Sequence, residues 1–224
     1  FWMQTAYEDV LPDELTAQEE APEAEKQLEA PPEGPAVSVL STDNRSGDFT
    51  YSVLSDNTAQ ITGYSGTAAN LIVPDKLDGY TVTEIGKLCF SGNITLVSLK
   101  LPDTVTRIGA KAFAYCTNLA SINYPLHLES AGDYYNGGYL FDGTRISSIT
   151  VPEGVTELPS YVFQGAYMLT EVQLPTTLTS IGSSAFSGCS QLPALCIPIG
   201  ETQIGMNAFT GCTELRQAAF LGTK

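Results

Sequence analysis

The chain has 224 residues, 43% hydrophobic and 16% charged, with 10 basic and 25 acidic side chains and a formal net charge of −15. That much apolar side chain excludes a wholly disordered protein, and no apolar run reaches the ~18–20 residues that cross a bilayer as a helix. A surface this acidic repels phosphate, which argues against nucleic acid and anionic membrane as partners.

Residues 1–36 carry ten acids against the single base Lys26, so most of the negative charge sits in the first sixth of the chain. The same stretch holds Pro12, Pro22, Pro31, Pro32 and Pro35. Each proline removes a backbone donor and pushes its predecessor out of the helical region. Too few apolar groups remain to offset ordering entropy. The segment reads as an acidic disordered linker. The chain opens Phe1-Trp2-Met3, as expected of a processed or trimmed product. A linker behind a removed signal or a lipid anchor suits an exported protein.

Residues 37–73 read as an N-terminal capping hairpin. Phe49, Tyr51 and Val53 alternate with polar residues, as do Ala59 and Ile61, around a turn at Asp56-Asn57. Its expected task is to cover the first open edge of the repeats that begin near Pro74.

Residues 74–224 repeat. Phe90, Phe113, Phe141, Phe163, Phe186 and Phe209 are spaced by 23, 28, 22, 23 and 23; Pro74, Pro102, Pro125, Pro152, Pro175 and Pro198 by 28, 23, 27, 23 and 23. A 23-residue unit cannot bury its own apolar face, so about six units are expected to stack as a solenoid around a shared core. Leu119, Ile122 and Tyr124 point inward from an extended segment that Pro125 ends. Val105 and Ile108 form a second inward pair, and Gly109 permits a tight turn. Ala112 and Phe113 are expected to open a short helical or 3₁₀ arc that closes the coil.

One clean unit runs Leu101-Pro102-Asp103-Thr104-Val105-Thr106-Arg107-Ile108-Gly109-Ala110-Lys111-Ala112-Phe113-Ala114-Tyr115-Cys116-Thr117-Asn118-Leu119-Ala120-Ser121-Ile122. It resembles the BspA-like leucine-rich repeats of bacterial and protozoal surface proteins, and the resemblance covers roughly residues 49–221. It implies a right-handed, β-rich leucine-rich-repeat coil with no catalysis and no cofactor. It also implies a secreted or cell-surface location and an adhesive or protein-binding role. The partner class is then an extracellular protein or glycan, with no membrane insertion and a monomeric chain; a spacer or accessory domain of a longer surface protein is the alternative. Leu221-Gly222-Thr223-Lys224 supplies no polar cover, so the parent protein is expected to continue.

Departures from the period mark candidate sites. The third unit has seven residues between Gly132 and Leu140, where the clean unit has two. The insertion carries Tyr134, Tyr135 and Tyr139 among flexible glycines, and tyrosine offers large contact area at few rotatable bonds. Either these rings bind a partner or they fold back to cover the coil. The outward column of the sheet face includes Lys100, Asn123, Glu171 and Gln173, small and polar with no aromatic or arginine anchor. Cys116, Cys189 and Cys212 share one repeat position and read as core fillers, as does Cys89 at another, whereas Cys196 points outward. Free thiols fit an odd count better than a disulfide framework. His127, the lone histidine, has no second histidine to converge with on a metal.

Overall fold

The computed structural model describes residues 39–133, 137–198 and 202–221, with backbone alone for 41–43 and 217–221. The acidic segment 1–36 and residues Tyr134 and Tyr135 lie outside the described residues.

Three antiparallel strands lead in: β1 (Val39–Ser46), β2 (Phe49–Leu54) and β3 (Thr58–Tyr64). The turn between β2 and β3 places Asn57 at φ 61°, a conformation asparagine tolerates better than most side chains. The solenoid continues as β4 (Asn70–Ile72), β5 (Lys76–Leu77), β6 (Tyr80–Ile85), β7 (Ser98–Lys100), β8 (Arg107–Ile108), β9 (Ser121–Ile122), β10 (Ser130–Ala131), β11 (Ser148–Thr150), β12 (Glu157–Leu158), β13 (Glu171–Gln173), β14 (Ser180–Ile181), β15 (Ala194–Pro198), β16 (Gln203–Ile204) and β17 (Gln217–Leu221). Strand β3 pairs in parallel with β6, so the leading sheet runs directly into the coil.

Each turn of the coil has three sides. One is a strand of the series β4, β7, β9, β11, β13, β15; the second is a strand of the series β6, β8, β10, β12, β14, β16; the third is an arc around the phenylalanine. Leucine, isoleucine and valine point inward from both strands, and the phenylalanines stack along the axis, with Phe90, Phe113, Phe163 and Phe186 fully buried. The expected column is present, with ring centroids 5.1–6.4 Å apart.

The arcs are not helical or 3₁₀. Among the described residues no helix occurs. Two residues per arc take positive φ, Lys111 at 57° and Tyr115 at 60° in the second turn, and this breaks any right-handed run. The backbone groups are satisfied by the next turn: Leu88, Phe90 and Gly92 donate to Ala110, Ala112 and Ala114.

Stacking also dictates the glycine after each second-side strand. A Cβ on Gly109 would overlap the Lys87 backbone, and one on Gly182 the Ser160 nitrogen. Gly86, Gly109, Gly132, Gly182 and Gly205 each donate an N–H to the preceding turn, at 2.7–2.8 Å. In the fourth turn this position is Pro159. Proline has neither the donor nor the small volume.

The coil is interrupted there. Strands β6, β8 and β10 form one sheet and β12, β14 and β16 another, with no pairing between β10 and β12. Strands β9 and β11 likewise fall in separate sheets. Among the described residues no backbone hydrogen bond joins the third arc, 139–143, to the fourth, 161–165; the Gly138 amide donates instead to Gln164 Oε1 at 2.7 Å. A seam thus opens the β10–β12 side and the arc side; on the remaining side the Arg145 amide still donates to the Leu119 carbonyl at 2.8 Å, and core packing closes the rest. It has the widest phenylalanine step, Phe141 to Phe163 at 6.4 Å, and the ring of Tyr124 fills the core 6.1 Å from Phe163, its hydroxyl buried without a partner.

Candidate functional site

The sheet-face residues do not converge on a site. Lys100 is exposed at the end of β7. Asn123 is engaged structurally: its Oδ1 accepts from the Leu101 amide at 2.7 Å and its Nδ2 donates to the Leu101 carbonyl at 2.9 Å, completing the ladder where β9 stops short. Gln173 Nε2 donates to Glu171 Oε1 at 2.9 Å, and Thr150 Oγ1 donates to Gln173 Oε1. Two of the four outward groups are therefore bonded to each other and a third to backbone.

Tyr139 lies on the arc side instead, beside residues that the repeat pattern alone did not single out. Its ring leans over Gly165 of the next turn, where a Cβ would stand 2.7 Å from Tyr139 Cδ1. Lys111 Nζ sits 6.0 Å from the ring centroid, within cation–π range. Tyr167, two residues past Gly165, is exposed, and Tyr115 on the second turn is 55% exposed, its ring 3.1 Å from where a Cβ on Gly143 would stand. Three consecutive turns therefore present exposed tyrosines, two of which, Tyr115 and Tyr139, lie over glycines of the next turn.

Tyr115 occupies an exceptional position. Its counterparts in the other turns are Gly92, Gly143, Gly165, Gly188 and Gly211, all at φ between 71° and 80°. Tyrosine at φ 60° is strained, at a cost on the order of 1 kcal/mol, and such strain clusters at functional positions. The signal was available in the repeat alignment: one tyrosine in a column of glycines.

The buried thiols, Cys89, Cys116 and Cys189, are inert by placement. Cys116, Cys189 and Cys212 donate to the carbonyls of Phe90, Phe163 and Phe186 one turn back, at 2.9–3.2 Å. Burial pushes the Cys116 thiol up to about 11 and raises Cys89 and Cys189 in the same direction. All five cysteines are free, and Cys196 is exposed. His127 is exposed on the turn before β10. Among the described residues no three His, Cys, Asp or Glu side chains are grouped to hold a metal ion, and no helix is long and apolar enough to cross a membrane.

Residues 135–223 match the BspA-type leucine-rich-repeat region model. The repeats within residues 135–223 are of the BspA leucine-rich-repeat type. No curated protein matches the chain by sequence. Similar solved structures include a leucine-rich cell surface protein from Faecalibacterium prausnitzii A2-165, 28% identical over 82% of this chain and 54% of that one, TM-score 0.49. Another is a leucine-rich repeat protein from Bacteroides ovatus, 25% identical over 80% of this chain and 53% of that one, TM-score 0.51. The pneumococcal vaccine antigen PcpA is 19% identical over 76% of this chain and 48% of its own, TM-score 0.55, a likeness of fold alone. The chain spans about half the length of each of these structures.

Proposed function

We propose that this chain is a non-enzymatic, exported BspA-type module that binds an extracellular protein or glycan at the cell surface through the tyrosines of its arc side. The observation that carries the reading is Tyr115, exposed and held at positive φ where the other turns have glycine. A residue kept against a backbone cost while more than half exposed points to contact with something outside the fold. Tyr139 and Tyr167 on the next two turns extend the same surface, and tyrosine serves equally on a peptide or a sugar ring. Tyr134 and Tyr135, five and four residues before Tyr139 in the sequence, are included among the proposed ligand-binding residues; Lys100, Asn123, Glu171 and Gln173 lie on the sheet face and contribute less. The acidic segment 1–36 serves as the spacer that carries the module away from its point of attachment.

A glycan and extracellular-matrix array probed with the full chain tests the reading. The chain should bind a discrete set of spots, and Tyr115→Gly combined with Tyr139→Ser should abolish the signal without lowering thermal stability. Unchanged binding in that variant moves the site off the arc side. A loss of stability makes these tyrosines packing residues.

A further inference from the structure

We propose that the seam between the third and fourth turns is a docking cleft for an extended basic peptide segment of a partner protein. A cleft of about 310 Å³ opens there, within the size range of ligand sites, with His127 and Glu129 on one wall and Thr156, Glu157 and Pro159 on the other. Its floor is apolar, formed by Leu128 and Val155, both buried.

The two walls are complementary to one inserted strand. Everywhere else along this side, each turn donates to the turn before it: Glu129 and Ser130 to Thr106, Gly132 to Ile108, Thr179 and Ser180 to Thr156, Gly182 to Leu158. At the cleft the equivalent acceptors are the carbonyls of Glu129 and Ala131, and the equivalent donors are the amides of Thr156 and Glu157. Among the described residues none of these four groups has a partner. A segment lying parallel to β10 donates to Glu129 and Ala131 and accepts from Thr156 and Glu157, which continues both ladders. This is strand addition, in which the backbone gives affinity and alternate side chains give selectivity. Open strand edges are normally blunted or covered. Pro159 keeps these from closing on each other, because it removes the N–H that would reach Ala131.

Charge selects the occupant. Glu129 and Glu157 are exposed on opposite walls, and neither makes an ion pair among the described residues. Between the first and second turns on the same side, Glu84 faces Arg107 at 3.7 Å. Carboxylates on both walls favour lysine or arginine on alternate residues of the inserted strand.

The test uses the full chain and a labelled peptide of alternating lysine and valine, about eight residues long, at about 0.15 M salt to suppress non-specific attraction. The control alternates lysine and proline, with the same charge and half of its backbone donors removed. The lysine–valine peptide should bind and protect the Thr156 and Glu157 amides from exchange. The proline control, and the protein variant Glu129→Gln with Glu157→Gln, should each bind at least about tenfold more weakly. Pro159→Gly should also weaken binding by letting the turns close. No binding, equal binding of the proline control, protection confined to other turns, or indifference to the double glutamine change would each overturn the proposal. Should Pro159→Gly fail to fold, the glutamine variant decides alone.

Discussion

The step from the fourth turn to the fifth and the step from the third to the fourth are built from the same repeat, yet they are held by different forces. In the first, Gly182 brings the backbones together, three ladders close, and Phe163 and Phe186 approach to 5.1 Å. In the second, Pro159 stands at the glycine position, the ladders are open, and the rings are 6.4 Å apart. A solenoid is stabilised by nearest-neighbour interfaces, so one altered position weakens one interface and leaves the others intact. The core runs through the seam uninterrupted and the Arg145 amide donates across it to the Leu119 carbonyl, which is why the coil holds together there with its ladders open.

The largest expected effect falls on the well-stacked step. Phe186→Ala empties a fully buried site between Phe163 and Phe209 and should cost on the order of 3–5 kcal/mol. A thermal transition close to that of the unaltered chain would contradict the stacking. Glycine and proline positions then sharpen the contrast directly. Gly182→Ala forces a methyl group into the Ser160 backbone and should cost about 1–3 kcal/mol. Pro159→Ala should stay within about 1 kcal/mol, because no ladder is there to be lost. Equal costs in urea denaturation would mean that the seam is as tightly coupled as its neighbours.

Relief of strain is the next smaller effect. Tyr115→Gly should stabilise the chain by about 1 kcal/mol while weakening ligand capture, since only the unbound fold gains from the exchange. Stability that falls instead would place the Tyr115 ring in the packing. Local exchange carries no cost in global stability and is the finest probe. Amides of Thr156 and Glu157 should exchange much faster than those of Thr179 and Ser180, their equivalents one turn on. A thiol reagent at mildly alkaline pH should label Cys196 at once in the native chain and spare Cys89, Cys116 and Cys189, which are buried. Rapid labelling of any of these three buried thiols would show the coil opening.

The 23-residue spacing, the phenylalanine column, the inward cysteines and the leading hairpin could all be read from residue order. Each repeats a side chain at the position where burial demands it, and repetition separates demand from accident. The tertiary structure decided what a single departure means. Pro159 is one proline among 13 until its place against Ala131 shows which hydrogen bond it deletes. Asn123 has the look of an outward polar residue until its amide is found closing the Leu101 ladder. Tyr115 is one of 11 tyrosines until the φ of its glycine counterparts is known. The arcs resemble helix in composition, but their amides alternate between a carbonyl three residues back and a carbonyl on the next turn, so no helix propagates. Short-range pattern records which side chains are buried, whereas half of the arc amides and the strand ladders find their partners one full turn away.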